Sequence, residues 1–273
     1  MSYRYLLRRT LLYMAAITFS LWVLIPVFLI AFSAFTPRQE LYQWPRAVFP
    51  SHFSLETMRF FLGAYGVVRS LFNSVQVALL TLAFTLLVGA PAGYAVARFH
   101  FRGKGTFRLG ILITRMFPTA LLAVPLAVIF IRWGLYDTLL GVALIHTAMA
   151  LPFAVIITTG IFMGVPKELE EAAMTLGCSR LGAFVRVALP LALPGLAAAA
   201  MFTFVISWNE VFAAAILTVR NRTLPAHIIT TIQASPLDFR FAGGFFMILP
   251  ALLFMFLIRR YLFHMWGGAI AER

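Results

Sequence analysis

Six apolar runs divide this chain, and shorter polar or charged segments separate them. The runs lie near residues 11–35, 71–97, 107–131, 138–162, 190–219 and 241–263. A helix needs about 20 apolar residues to cross the hydrocarbon core of a bilayer, and each run is long enough. The pattern therefore predicts an all-α, polytopic membrane protein with six transmembrane helices.

The polar segments also predict how the chain is organised. Residues 1–70 should hold the first transmembrane helix and a segment on the outer side of the membrane. Residues 71–263 should form a five-helix transmembrane domain, whose loop at 163–190 is cytosolic. Residues 264–273 should be a cytosolic tail.

Composition and charge exclude several classes of protein. Hydrophobic residues make up 62% of the chain and charged residues 11%, which excludes an ordinary soluble domain. The net charge of +13 does not indicate nucleic-acid binding, because the arginines are spread among short loops and form no basic stripe. They indicate topology instead: thirteen Lys and Arg residues flank one side of the predicted spans and eight flank the other. This bias predicts a cytoplasmic-membrane protein with both termini in the cytosol.

The start of the chain has a second interpretation, that of a cleaved signal peptide. Arg4, Arg8 and Arg9 precede the first apolar run, as basic residues do in such peptides. The run from Leu11 to Phe32 is longer than the apolar core of a secretory signal, which has about 7–15 residues. An uncleaved span is therefore predicted.

The sequence gives no support for catalysis, for a metal site or for a bound cofactor. Gly103-Lys104 superficially suggests a phosphate-binding loop, but position 98 is Arg where that motif needs Gly, so this chain is not expected to hydrolyse ATP. Cys178 is the single cysteine, which excludes an internal disulfide and makes a cysteine-based metal site unexpected. No Ser/His/Asp spacing indicates an enzyme.

One polar stretch, Val165–Gly177, interrupts the apolar pattern late in the chain. Pro166 suits the first turn of a helix, and Gly177 suits its end. Ser179 can cap a second short helix. An apolar stripe with two small residues at its centre is predicted on the first helix, at i, i+3, i+4 and i+7: Leu169, Ala172, Ala173 and Leu176. Glu168, Glu170 and Glu171 lie near the positive end of that helix. Such a helix is suited to docking into a groove of another protein.

The same stretch carries a resemblance to a known family. Glu171-Ala172-Ala173, then Gly177, then Val187-x-Leu189-Pro190 resembles the EAA loop of ATP-binding-cassette importer permeases, which usually has Ile at the position of Val187. The resemblance implies that this loop couples the membrane helices to a separate ATPase, which is the subunit that uses ATP. The residues that it assigns to this coupling are Glu170, Glu171, Ala172, Ala173, Leu176 and Gly177.

A second group of residues resembles one subgroup of this family more specifically. Pro91, Tyr94-Ala95 and Arg98 end the second span, and Trp208-Asn209-Glu210 lies in the fifth, as in carbohydrate-uptake permeases of the maltose (MalG) type. This implies import of a sugar, a polyol or glycerol phosphate, with a sister permease, an ATPase dimer and an extracytoplasmic sugar-binding protein as partners. The loop from Arg220 to Arg240 would face that binding protein. The last residues depart from the family's ending, so the tail's role stays open.

Three residues in the fifth span are candidates for a cavity, substrate-binding or gating site: Trp208, Asn209 and Glu210. Glu210 should lie near the middle of the bilayer, where a carboxylate needs a cavity or a partner. The trio could contact a sugar, or could tie spans together and gate the cavity, which we favour. We expect His146 to be hydrogen-bonded packing. Arg115 could line the aqueous pathway, but we favour a side chain that extends back to the interface or forms a structural pair.

One rival reading uses the same carboxylate. Glu210 alone could serve an ion-coupled secondary transporter, although the sequence shows no duplicated half of the kind many such carriers have. The sequence does not identify the sugar.

Overall fold

The computed structural model describes residues 3–45, 48–116, 119–232 and 234–271, and these residues form helices joined by short turns, without strands. The helices are α1 Tyr3–Ala34, α2 Arg38–Leu41, α3 Glu56–Gly63, α4 Val67–Arg98, α5 Lys104–Ile113, α6 Thr119–Arg132, α7 Leu139–Gly164, α8 Lys167–Thr175, α9 Arg180–Ala183, α10 Leu189–Asn209, α11 Phe212–Leu217, α12 Leu224–Thr231 and α13 Leu237–Ala271. The predicted fold class, an all-α polytopic membrane protein, is confirmed.

Within the described residues, five helical segments are long and apolar enough to cross a membrane. They are Leu7–Ala34, Val67–Arg98, Leu139–Gly164, Arg180–Asn209 and Leu237–Arg259. The third predicted run differs, because it divides into α5, a 3₁₀ turn at Thr114–Met116, and α6. Position 118 is a proline, which has no N–H and disfavours a helical residue before it; residues 117 and 118 lie outside the described residues.

The fifth predicted run is also divided. Helix α10 ends at Asn209, Glu210 has an extended conformation (φ −73°, ψ 125°), and α11 begins at Phe212. No proline or glycine stands at this break, so its cause is a side-chain interaction of Glu210, described below.

The described part of the chain separates into two compact units. The smaller unit contains residues 1–68 and 231–249. In it, the side chain of Phe61 is 1% exposed and packs against the rings of Phe239 and Phe246. The Thr57 hydroxyl donates a hydrogen bond to the carbonyl of Thr36. Most of α1 is exposed and apolar, as a helix in contact with lipid or with neighbouring spans would be.

The larger unit contains residues 69–230 and 250–273. Within it, α4 and α7 approach closely along a face of small residues. A Cβ built on Gly89 would lie 3.1 Å from the Cβ of Ala154, and the Thr158 hydroxyl donates a 3.0 Å hydrogen bond to the Gly89 carbonyl. Gly89 and Gly93 therefore give α4 a face of close approach, with α7 as the neighbour.

Gly93 offers a test of this packing. A Cβ at position 93 would lie 2.8 Å from the backbone nitrogen of Thr159 and closer still to the Thr158 hydroxyl, so Gly93→Ala must push α4 away from α7. We expect a loss of about 1–3 kcal/mol in stability, measured by thermal unfolding of the purified protein in detergent. Gly160→Ala is the matched control, because its Cβ meets nothing within 4 Å. Equal melting temperatures for the two variants would contradict this packing.

Candidate functional site

Helix α8 has the predicted beginning and end. Pro166 precedes it with φ −59° and ψ 129°. At the other end Gly177 has φ +87°, a left-handed conformation that glycine adopts without strain. The amide of Cys178 donates to the carbonyl of Ala173, and the amide of Gly177 donates to that of Met174. These two bonds form a Schellman motif, so the chain leaves α8 in a fixed direction.

One face of α8 is open. Leu169 and Ala172 are exposed, Ala173 is half-buried, and Leu176 is 90% exposed. The carboxylate-bearing residue Glu171 is exposed as well, as is Gly177. An apolar stripe that stays in contact with water is unfavourable in a free loop, and typical of a surface that another protein covers.

Glu170 differs from its neighbours because it faces inward. It is 5% exposed, and its carboxylate accepts three hydrogen bonds from α4. The Tyr94 hydroxyl donates to Oε2 at 2.6 Å, and Nε and Nη2 of Arg98 donate to Oε1 at 2.8 and 2.6 Å. Glu170 is therefore an internal anchor of α8, and its carboxylate is not part of the open face.

Arg98 also holds the end of α7. Its Nη2 donates a 2.8 Å hydrogen bond to the carbonyl of Val165, the residue that follows α7. The ring of Tyr94 packs against Phe162 and Phe184, in a buried cluster that continues into α10. The ends of α4 and α7 and the whole of α8 are thereby joined around one ion pair.

The second short helix forms as predicted. The Ser179 hydroxyl accepts a hydrogen bond from the amide of Gly182 and caps α9. Residues Phe184–Ala188 then form a wider π-helical turn that leads into α10. Pro190, near the start of α10, has no N–H to donate, which suits a helix beginning.

The three candidate residues of the fifth span have three different environments. Trp208 is 1% exposed and stacks on Phe204, with Ala78 in the same buried cluster. Asn209 is exposed, and its amide donates to the carbonyl of Val205. The structure therefore places the Trp208 ring in the helix core and leaves Asn209 open to the surroundings.

Glu210 explains the break between α10 and α11. Its Oε1 accepts a 2.8 Å hydrogen bond from the amide of Ala213, and Oε2 accepts one at 3.0 Å from the amide of Ala214. These amides belong to the first turn of α11, where helix N–H groups have no partner within the helix. The carboxylate therefore caps α11, and the chain leaves the helical path at Glu210 to reach this geometry.

A buried polar network holds Glu210 in place. Nε2 of His146 lies 3.0 Å from Glu210 Oε2, and Nδ1 lies 2.9 Å from the hydroxyl of Ser207. Ser207 in turn donates to the hydroxyl of Thr81. His146 is fully buried, so the expectation that it is a hydrogen-bonded packing residue is confirmed. Because α4, α7 and α10 each contribute to the network, Glu210 is a tie between spans here.

A cavity of about 960 Å³ lies among α4, α5, α6 and α7. Its walls are mostly apolar and include Val88, Phe107, Leu126 and Met149. A sugar site needs several converging hydrogen-bonding groups, and the described residues that line this cavity do not provide them. Its chemistry matches lipid or an apolar helix better than a sugar.

Asp137 organises the turn before α7 and the chain after α11. Its Oδ1 accepts hydrogen bonds from the amides of Val219, Arg220 and Asn221. Burial raises the pKa of this carboxyl, but the three amides and the charge of Arg220 outweigh it, so the pKa lies below its ordinary value. Asp137 has φ +56°, which a residue with a large branched side chain would not tolerate.

Sequence reasoning missed the partners of Glu170 and of Glu210. Tyr94 and Arg98 stand four residues apart and so share a face of α4, a signal that could have marked them as partners for an acidic residue of the loop. His146 as the partner of Glu210 had no comparable signal. The side chain of Arg115 and the side chains from 262 to 273 lie outside the described residues. The backbone of the predicted tail continues α13 as far as Ala271.

The fold and the sequence both match known transport proteins. A solved bacterial ABC transporter involved in the import of the acidic polysaccharide alginate has a chain that superposes with a TM-score of 0.77 at 20% identity, over 96% of this chain and 99% of that chain. The diacetylchitobiose uptake system permease protein DasC of Streptomyces coelicolor is 28% identical over 93% of this chain and 94% of its own length. The trehalose transport system permease protein SugB of Mycobacterium tuberculosis is 34% identical, covering 70% and 72%.

A family model identifies the class of protein. Residues 86–264 match the model of the binding-protein-dependent transport system inner membrane component, and this chain belongs to that family. It is a multi-pass inner-membrane protein and a permease component of an ABC importer. The ion-coupled alternative is not favoured, since the Glu210 carboxylate is fully engaged in structural hydrogen bonds.

The Asp137 contacts predict a dependence of stability on pH. In the folded protein the pKa of the Asp137 carboxyl lies below its ordinary value of 3.8. The ionised carboxylate therefore stabilises the fold fully above pH 3.8, and this stabilisation is lost as the pH falls through the lowered pKa. Asp137→Asn should cost about 1 kcal/mol at pH 7 and less at pH 3. Melting temperatures of the parent and of the variant, measured at both values, check this. The exposed Glu168→Gln is the control, and a pH-independent difference between parent and Asp137→Asn would contradict it.

Proposed function

We propose that this chain is one of two permease subunits of a sugar importer, in a complex with an ABC ATPase dimer and an extracytoplasmic sugar-binding protein. The proposed orientation places α8, α9 and both termini in the cytosol, as the distribution of Lys and Arg indicates. The observation that carries the proposal is the exposed apolar face of α8, a helix that the ion pair between Glu170 and Arg98 holds against α4.

The open face is the proposed ATPase contact. Leu176 is the most exposed residue of the stripe, and Leu169 and Ala172 extend it along the helix. Glu171 adds a charge at its edge, while Gly177 fixes the direction of the chain that follows. Glu170 and Ala173 support the face, Glu170 from inside the fold.

Asn209 is the best candidate of the Trp208–Glu210 trio for contact with the transported solute. An exposed amide in a membrane span requires a polar surrounding, either an aqueous pathway or a partner helix. Trp208 and Glu210 are buried, and we assign them a structural or gating role. In this proposal they hold α10 and α11 in the arrangement that presents Asn209.

Relatives support a sugar as the solute. The names of similar proteins specify diacetylchitobiose, trehalose and, for AraQ of Halalkalibacterium halodurans, arabinooligosaccharides. We propose a solute of this kind, a di- or oligosaccharide with a hydroxyl-rich surface. In this proposal the ATPase subunits supply the energy for transport, and the separate binding protein selects the sugar.

The energy source provides a first test. Proteoliposomes with the complete complex should accumulate labelled trehalose, diacetylchitobiose or an arabinooligosaccharide when ATP and the binding protein are present. An imposed proton gradient without ATP should produce no accumulation, because this chain would depend on its ATPase partner. Accumulation driven by the gradient alone would overturn the proposal.

The docking face provides a second test. Leu176→Asp places a charge in the proposed apolar contact and should reduce co-purification of the ATPase at least about tenfold, with the permease still inserted. Leu55→Asp is the matched control, since Leu55 is also an exposed leucine but lies in the predicted outer segment. Equal ATPase recovery from the two variants would rule out this face as the contact.

A further inference from the structure

We propose that Arg98 and Tyr94 are positioning residues that carry the displacement of α8 into α4, and so into the membrane. This rests on the proposed docking of the ATPase on α8. It adds two residues of the second span to those that couple the membrane helices to the ATPase. In this proposal Glu170 does not contact the ATPase but transmits the displacement of α8 to Arg98 and Tyr94.

The first support is the direction of the contacts. Three hydrogen bonds from α4 converge on one carboxylate of α8, which is buried, whereas Leu169 and Leu176 of the open face are exposed. Bonds between charged groups are stronger than neutral ones and fix distance and direction. An apolar contact at the same place would allow α8 to slide over α4, whereas this one transmits push and pull.

The second support is that the two charged side chains are largely buried. The side chains of Arg98 and Glu170 are 9% and 6% exposed. A buried ion pair is costly to form, and removal of one partner leaves an uncompensated charge. A loop that needed only to remain folded could use apolar packing, so the costly pair indicates a requirement for a specific geometry.

The third support is the form of α4. The third and fifth predicted spans are interrupted, but α4 is one helix from Val67 to Arg98 in spite of Pro91. The exposed residue Gln76 lies on it, about 33 Å along the helix from Arg98 at 1.5 Å per residue. A displacement applied at Arg98 can therefore pass along a single continuous helix to the far half of the span.

The test follows this movement without knowledge of the solute. The complex, with its ATPase, is reconstituted with Cys178→Ser, which removes the single native cysteine, and with Gln76→Cys as reporter. The rate at which a membrane-impermeant maleimide labels the reporter is measured with and without ATP plus orthovanadate. We expect nucleotide trapping to change this rate about fivefold or more.

Variants of the junction should remove the nucleotide-dependent change in labelling. In complexes that still contain the ATPase, Glu170→Gln or Arg98→Gln should reduce the change to less than about twofold. The double variant should be no worse than either single one, because the two side chains act through one contact. The control Glu168→Gln, an exposed carboxylate on the same helix, should keep the full change.

Tyr94→Phe keeps the packed ring, removes only the hydroxyl, and decides the matter if the charge variants fail to assemble. It should give an intermediate change. A full nucleotide-dependent change in an assembled Glu170→Gln, Arg98→Gln or Tyr94→Phe complex would overturn the proposal, as would no change in the parent complex. If the parent permease, without a junction substitution, did not associate with an ATPase, the proposed function itself would be refuted.

Discussion

The ion pair between Glu170 and Arg98 is the interaction on which the rest of this structure depends. A nine-residue helix on a loop between two spans has no fixed position of its own. The pair gives it one, because Arg98 holds the Glu170 carboxylate and the Val165 carbonyl together. The apolar face of α8 then points away from the fold, and the Schellman turn at Gly177 directs the chain toward α9 and α10.

A second carboxylate, that of Glu210, fixes the position of another short helix, α11, inside the membrane. The first N–H groups of α11 would be unsatisfied in an apolar surrounding, at a cost of several kcal/mol each. The Glu210 carboxylate accepts hydrogen bonds from two of these N–H groups, and His146 Nε2 lies within hydrogen-bond distance of the same carboxylate. Both carboxylates are therefore used to fix helices in place. The anchor at Glu170 lies next to the proposed ATPase contact, whereas Glu210 lies beside Asn209, the proposed contact with solute.

The order and approximate positions of the apolar segments could be predicted from the sequence, since burial in lipid imposes one simple requirement on every residue of a span, but the third and fifth predicted spans are interrupted. The caps at Ser179 and Gly177 also followed from local chemistry. The interruption at Glu210 did not, because it depends on His146, 64 residues away in the chain. For the same reason Glu170 could not be separated from Glu168 and Glu171: only the position of Arg98 distinguishes the buried carboxylate from its neighbours.

The measurement that tests the central claim most directly is amide hydrogen exchange of the full chain in detergent. Protection of α8 reports how firmly this helix is fixed, and protection of α10 reports the surrounding fold. If the ion pair fixes α8, then Glu170→Gln should raise exchange in Lys167–Thr175 at least about tenfold and leave α10 unchanged. Exchange in α8 that is the same in the parent and in the variant would contradict the account.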